Sequence, residues 1–396
     1  MKNYYSCILV DLQRSMRIGL MYWKRRGVSK MTRQSIEELD TPSLIIDFDQ
    51  MEENLKAMQK FADSKGIALR PHTKTHKSAD IAHLQLEYGA KGITVAKVSE
   101  AEAMVNAGIT DIFIATEIVG KQKLERIRTI AAKATLRVAV DSIYHVERFA
   151  EFFDDRVPIE LMIEVDTGHG RCGVKPDDAI ILANKIIQSF PGIKIRGVFT
   201  HEGHIYHAAD KEQMKQAAIQ AQENVIEIGK KIKEKWGIDC EVSVGCSLAQ
   251  LTGIILPGIT EIRPGTYVFY DVGHGYFLTD LKHCAATVLA TITSTSSRGK
   301  VVADAGAKSM TIDQRSSGVL RTDGFGKIKG YPDLLIKKLS DEHAVINASG
   351  ALEIGDRIEI IPNHVCPTVN LYDRAYGVRR GKVEKVVWIS GRGCVQ

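Results

Sequence analysis

Leu69-Arg70-Pro71-His72-Thr73-Lys74-Thr75-His76-Lys77 is the stretch on which the fold turns. Ile67-Ala68-Leu69 before it reads as a short apolar strand, and Ser78 after it as the start of a helix. Alternation along a strand puts Arg70, His72 and Lys74 on one face and Leu69 and Thr73 on the other. Lys74 then stands at the C-terminal end of a strand inside a cationic cluster. Crowding of like charges disfavours the ammonium and lowers the pKa toward the neutral amine, the form that makes a Schiff base. The competing reading is a solvated basic loop, a common feature of protein surfaces. The rest of the chain decides between them.

Working outward, apolar strand candidates lie at 67–73, 92–96, 112–116, 136–140, 160–165, 195–200, 241–245 and 259–269. Helical spacing fills the gaps at 77–89, 98–107, 120–133, 142–153, 176–189 and 210–235, with Gly66, Gly89, Gly108 and Gly237 at helix ends. Upstream, Leu44 to Phe48 reads as a strand, and Asp49 as the cap of a helix. Eight strands with helical crossovers in about 220 residues predict a (β/α)8 barrel. Beyond about residue 276 the helical period stops. Cys284 to Ser294, Lys300 to Ala303, His343 to Ala348, Arg357 to Ile361 and Val383 to Ile389 read as short strands between turns, a separate all-β domain. The expected organisation is a leader at 1–35, an N-terminal strand at 36–47 packing with the β domain, the barrel at 48–275 and the β domain at 276–396.

The totals suit a chain with sizeable cores: 396 residues, 44% hydrophobic and 26% charged. The net charge of +5 comes from residues 1–30, which carry seven Lys/Arg against Asp11. The remainder is near neutral, which argues against nucleic acid as a partner. No apolar run approaches the ~20 residues that span a bilayer, so no membrane partner is expected. Seven scattered cysteines without a CxxC motif point to a reducing cytoplasm. Residues 1–30 read as a dispensable leader, because a globular pattern begins just after Met31.

In a barrel, catalytic groups gather where strands end. Those ends are Lys74, Asp166 to Gly173, His201 to Tyr206, Gly245-Cys246-Ser247 and Arg263 to Tyr267. Gly245-Cys246-Ser247 is either a tight turn or, at the seventh barrel strand, a phosphate site built from backbone N–H groups. Gly168 to Gly173 matches GxGxxG, but no helix follows directly, so it reads as a turn and not as a nucleotide fingerprint. His364-Val365-Cys366, taken as extended, puts imidazole and thiolate on one face. Both suit zinc. Two ligands leave coordination positions open, as in a catalytic metal site; a buried cysteine beside a turn histidine is the alternative.

Several of these motifs in this order resemble the D-serine dehydratase/D-threonine aldolase family. They are Arg70-Pro71-His72-Thr73-Lys74, Gly170-Arg171-Cys172-Gly173, His201-Glu202-Gly203-His204 through Tyr206, Glu261-Ile262-Arg263-Pro264-Gly265, and His364-Val365-Cys366-Pro367-Thr368-Val369-Asn370. The resemblance spans about 36–396. It implies a fold-type III enzyme: a (β/α)8 TIM barrel of the alanine racemase type plus a C-terminal all-β domain, binding pyridoxal 5′-phosphate. It implies that Lys74 carries the cofactor and removes the α-proton, and that Arg171 meets the phenolic oxygen. Tyr206 would meet the pyridine nitrogen, and Gly245, Cys246, Ser247, Gly265 and Thr266 the phosphate. His364 and Cys366 would bind the metal, for which thiolate softness favours Zn2+ over Mn2+ or another divalent ion. It also implies a homodimer with its active site at the interface, between one barrel and the partner's β domain.

The expected function is a lyase acting on a small D-β-hydroxy amino acid. A metal beside the cofactor either turns the β-hydroxyl into a leaving group or acidifies it for Cα–Cβ cleavage. The first is dehydration to a 2-oxo acid and ammonia; the second is retro-aldol cleavage to glycine and an aldehyde. In the family, cysteine as second ligand goes with dehydratases and aspartate with threonine aldolases, so Cys366 favours D-serine dehydratase-like chemistry. Aldolase cleavage of D-threonine or 3-hydroxy-D-aspartate is the alternative. A racemase has no use for the His-x-Cys pair, and a non-catalytic pyridoxal-phosphate carrier none for the β domain.

Overall fold

The computed structural model describes residues 34–154, 156–295, 299–348 and 350–396. The leader reading of residues 1–30 lies outside them.

The chain opens into β1 (Ser43–Asp47), nearly all buried because strands flank it on both sides. Helix α1 (Phe48–Ser64) follows at once. Its cap is Asp47, whose carboxylate accepts from Gln50 N at 3.1 Å, two residues before the expected Asp49. Then comes the alternation: β2 (Ala68–Leu69), α2 (Ala79–Glu87), β3 (Ile93–Val95), α3 (Val98–Asn106), β4 (Asp111–Glu117), α4 (Lys121–Ala131), β5 (Thr135–Val140), α5 (Ile143–Ala150), β6 (Glu160–Glu164), α6 (Pro176–Ser189), β7 (Lys194–Phe199), α7 (Lys211–Trp236), β8 (Glu241–Val244), the short α8 (Ser247–Gln250) and β9 (Glu261–Ile262). Asp210 caps α7, and Gly237 ends it in the left-handed region at φ 71°.

Strands β2 to β9 pair in parallel in the order β2-β9-β8-β7-β6-β5-β4-β3, and a bridge from His72 to Thr94 brings the two edges together. Every expected barrel strand is present. The first and last are shorter than their apolar runs: 67–73 and 259–269 contain two-residue strands followed by 3-10 turns at Thr73–Thr75 and Thr266–Val268. An ionic layer fills the barrel at the starting ends of its strands. Arg70, fully buried, meets Glu261 at 2.7 Å and Asp111 at 2.6 Å. Arg137 reaches the same Asp111 at 2.6 Å and Glu241 at 3.1 Å. Arg70 is therefore a structural group below the cavity, not a neighbour that depresses Lys74. With both signs interleaved, this desolvated layer is costly to break at any one member.

Helix α9 (Val272–Leu278) leads into the second unit. Its strands are β10 (Ala286–Ser294), β11 (Lys300–Ala303), β12 (Lys327–Ile328), β13 (Tyr331–Leu339), β14 (Ala344–Asn347), β15 (Arg357–Ile361), β16 (Arg374–Arg379) and β17 (Lys382–Trp388), with helix α10 (Val365–Val369) between β15 and β16. Strands β10, β15, β12, β13, β14 and β11 close on themselves through the β10–β11 pairing. Closure removes sheet edges and encloses an apolar core around Val288, Ile292, Ile336 and Ile360. Strand β1 extends this sheet, antiparallel to β10 and parallel to β16. Strands β12, β13 and β16 went unread in the sequence because Tyr331-Pro332-Asp333 and Arg374 to Arg379 lack clean alternation. No helix among the described residues is long and apolar enough to cross a membrane.

Candidate active site

The strand ends of the barrel and the loops of the β domain enclose a cavity of about 370 Å³. Lys74, Arg171, Tyr206, Gly245, Cys246, Ser247, Gly265, Thr266, His364 and Cys366 all line it. His72, His201, Arg263, His274 and Arg315 line it too. No acidic side chain does, among the described residues, so the cavity favours anionic ligands.

Lys74 arrives there by a route other than the expected strand. After Leu69 the chain tightens into the 3-10 turn Thr73–Thr75, with His72 as its cap, Nδ1 accepting from Lys74 N at 3.3 Å. Lys77 then takes a left-handed conformation, φ 48°. Its Nζ pairs with Glu100 at 3.1 Å and donates to Asn370 Oδ1 at 2.9 Å, which ties the turn to the β domain. The Lys74 ammonium is pushed down from its ordinary value chiefly by burial and further by Arg171; the Cys366 thiolate opposes the shift. Desolvation, more than cationic crowding, thus favours the neutral amine.

The histidines beside it are neutral. Burial and the Lys74 charge hold both His72 and His201 well below the ordinary histidine range. His201 is bonded through Nδ1 to Gly245 O at 2.8 Å, which fixes that nitrogen as the donor and leaves Nε2 unprotonated. Tyr206 is kept a phenol by burial and by Cys246, and Cys246 a thiol, pushed up to about 12 by burial and by Glu202.

Arg171 enters from the loop after β6. Burial works against its charge, but Cys172, Glu164 and Glu117 outweigh it and raise the pKa. Its Nη2 lies 3.5 Å from Glu164 Oε1. Behind it, polar atoms of Glu117, Glu164 and Cys172 lie within 4.8 Å of one another. Burial and the neighbouring Glu117 push Glu164 up to about 8, so Glu164 keeps its proton near neutrality. Neither Glu117 nor Glu164 was singled out from the sequence, where they end two separate strands.

His364 and Cys366 converge, but not on an extended segment. His364 is the N-terminal flank of α10, and Cys366 lies in its first turn. The thiol is driven below its ordinary range: burial opposes ionisation, but the His364 imidazolium, Thr75 and Lys74 outweigh it. His364 rises in turn to about 9, held by Cys366, Asp271 and Asp313 against the cost of burial. Asp313 Oδ2 accepts from His364 Nδ1 at 2.6 Å and turns Nε2 toward Cys366, the arrangement of an oriented metal ligand. Both residues belong to the same chain as Lys74, and Thr75 Oγ1 lies 3.3 Å from Cys366 Sγ.

The donor set suits the groups that the resemblance implies. A thiolate beside an oriented imidazole is a soft, borderline pair fit for a divalent metal. The phosphate end is mixed. Ser247 Oγ accepts from Tyr267 N at 3.0 Å, so its O–H remains to donate. Gly245 N is already spent on Glu202 Oε2 at 2.8 Å. Gly265 permits a close approach of chains: a Cβ there would sit 3.1 Å from both His72 O and Thr75 Oγ1. His274, Arg315, Asp271 and Asp313 escaped the sequence reading. Asp271 and His274 at i, i+3 carry a capping signal, whereas Arg315 lies in a Gly/Ser-rich loop with no local signature.

Residues 46–272 match the family model of the alanine racemase N-terminal domain, and residues 285–378 a serine dehydratase domain model. D-threonine aldolase of Arthrobacter sp. is 35% identical over 90% of this chain and 94% of its own length. D-threo-3-hydroxyaspartate dehydratase of Delftia sp. (strain HT23) is 32% identical over 83% of this chain and 92% of its own length. The crystal structure of a cysteine-to-alanine variant of D-threo-3-hydroxyaspartate dehydratase in the metal-free form superposes with a TM-score of 0.81 at 30% identity, covering 90% of this chain and 98% of the other.

Proposed function

Because the chain belongs to the alanine racemase N-terminal domain family, in the branch of D-threonine aldolase and D-threo-3-hydroxyaspartate dehydratase, we propose that it dehydrates a D-β-hydroxy amino acid to a 2-oxo acid and ammonia. It is a pyridoxal-phosphate-dependent lyase of fold type III. The observation that carries the dehydratase reading is the Cys366 thiolate paired with His364 in the cavity that holds Lys74.

Lys74, Arg171, Tyr206, Ser247 and Thr266 would hold the cofactor, with Gly245, Cys246 and Gly265 shaping the wall around its phosphate. When bound it supplies an electron sink for the pair released at Cα. Lys74, favoured as the neutral amine, accepts the α-proton at Nζ. Arg171, its Nη2 3.5 Å from Glu164 Oε1, places a positive charge along the cavity wall. Tyr206 stays protonated and donates; His201 and His72 stay neutral and add no competing charge. His364 Nε2 and Cys366 Sγ would hold the metal, read as zinc for its match to thiolate, which supplies Lewis acidity to the β-hydroxyl.

The alternative outcome is retro-aldol cleavage, favoured by the Arthrobacter relative's name. Product analysis with D-threonine, before and after chelation and metal return, separates the two. A 2-oxo acid plus ammonia, restored by zinc and absent in Lys74→Ala, is expected. Glycine plus acetaldehyde would replace the dehydratase reading by the aldolase one.

We also read the enzyme as a cytoplasmic homodimer with its active site at the interface. Reduced thiols support the compartment: the described cysteines 172, 240, 246, 284, 366 and 394 are all free.

A further inference from the structure

Among the described residues, two polar groups on the cavity wall have no partner. His274 Nε2 and Arg315 Nη1 are both buried and both unbonded. A buried polar group without a partner is unfavourable unless a ligand completes it, and of the two only the Arg315 guanidinium is a donor in every state. Both are held in place. His274 is fixed through Nδ1 to Asp271 Oδ1 at 2.6 Å, which turns Nε2 away from the carboxylate. Arg315 sits on a loop pinned at its own backbone: Thr322 N donates to Arg315 O at 2.9 Å, and Arg315 N to Thr322 Oγ1 at 3.2 Å. The same loop carries Asp313, which orients His364. The guanidinium also lies against the backbone of α9: a Cβ on Gly273 would come within 2.7 Å of Nη1.

The other cations of the cavity are committed. Arg263 donates to Thr200 O at 2.8 Å and to the Ser243 hydroxyl. Arg171 leans on Glu164. Lys74 is the proposed site of attachment and proton transfer. Arg315 makes no ion pair in the structure described.

We propose that Arg315, seated against Gly273 beside His274, anchors the α-carboxylate of the substrate. The inference rests on the lyase reading above and assigns the substrate-binding end of the same site. A carboxylate accepts from a guanidinium through charge-assisted hydrogen bonds, the strong class, and Arg315 is placed two residues from the support of the metal pair. A substrate gripped there has its Cα and β-hydroxyl between Lys74 and His364/Cys366.

The test uses holoenzyme and two ligands without a β-hydroxyl, D-alanine and its carboxylate-free analogue D-alaninol, titrated through the visible absorbance of the bound cofactor. Wild type should bind D-alanine about ten-fold or more tightly than D-alaninol. Arg315→Gln should weaken D-alanine by about 10–100-fold, leave D-alaninol within twofold and keep the cofactor band; Arg315→Lys should recover part of the loss. Gly273→Ala, which displaces the guanidinium without removing it, should weaken D-alanine selectively as well. An Arg315→Gln enzyme that retains both the cofactor band and the D-alanine preference overturns the proposal and leaves the carboxylate to Arg171. A wild-type chain that takes up no pyridoxal phosphate overturns the lyase reading instead, and this proposal with it.

Discussion

Glu164 shows how single residues are tuned here. It is buried at the end of β6, beside Glu117 and under Arg171, and it holds its proton up to about pH 8 against an ordinary 4.5. Between those values the folded protein retains a proton that the unfolded chain releases. The resulting stabilisation is complete below pH 4.5, fades as pH rises, and is gone above about 8. Glu164→Gln, neutral at every pH, should therefore flatten the decline of Tm between pH 5 and 9. At pH 9 the variant should be the more stable, by an amount on the order of a few kcal/mol. Parallel Tm curves from calorimetry would show that the carboxyl titrates normally. Lys74 and Cys366 follow the same logic with opposite charges: each is pushed toward the species its chemistry needs, the lysine mainly by burial and the cysteine by its imidazolium partner.

At the scale of elements, strands deliver groups to the cavity by ending early. Strand β2 stops at Leu69 and β9 at Ile262, and the tight turns that follow carry Lys74 and Thr266 into the site. Close strand approach supports this geometry. Gly197 in β7 faces Glu241 in β8, and a Cβ at 197 would overlap the Glu241 carbonyl. Glu241 also belongs to the ionic layer with Arg137 and Arg196. Gly197→Ala should force β7 and β8 apart and cost roughly 3 kcal/mol in urea unfolding, well above the effect of a surface substitution. A change below 0.5 kcal/mol, the ordinary surface range, would mean that the two strands relax freely. Gly237 at the end of α7 was visible in the sequence because a left-handed cap is a local requirement. The requirement at Gly197 was not, since it arises from a strand 44 positions away.

For the whole molecule, the question is what the barrel and the β domain make together. Thr75 against Cys366, Lys77 on Asn370, and Gly391 N on Lys77 O at 2.7 Å bind the Lys74 turn to the β domain of the same chain. The metal pair and the lysine therefore share a cavity within one chain, so the β domain at this barrel's cavity is the chain's own and not, as expected, the partner's. The homodimer is a proposal that rests on the family resemblance. Light scattering should report twice the mass of 43.8 kDa, with activity lost in step with dissociation on dilution. A fully active monomer would remove the interface from the function.

The amino-acid sequence by itself determined the alternation of eight strands with helices, the change to an all-β unit, and the residues grouped around Lys74. Apolar periodicity, helix caps and strand-end positions are local, and they survive being read one segment at a time. Only the tertiary structure decided that His364 and Cys366 meet across the first turn of a helix, that Arg70 belongs to a structural ionic layer, and that burial sets the state of Lys74. It also brought His274, Arg315 and the Glu117–Glu164 pair to the cavity or behind it. Desolvation and pairing depend on what surrounds a group in three dimensions, and those neighbours come from strands and loops far apart in the chain.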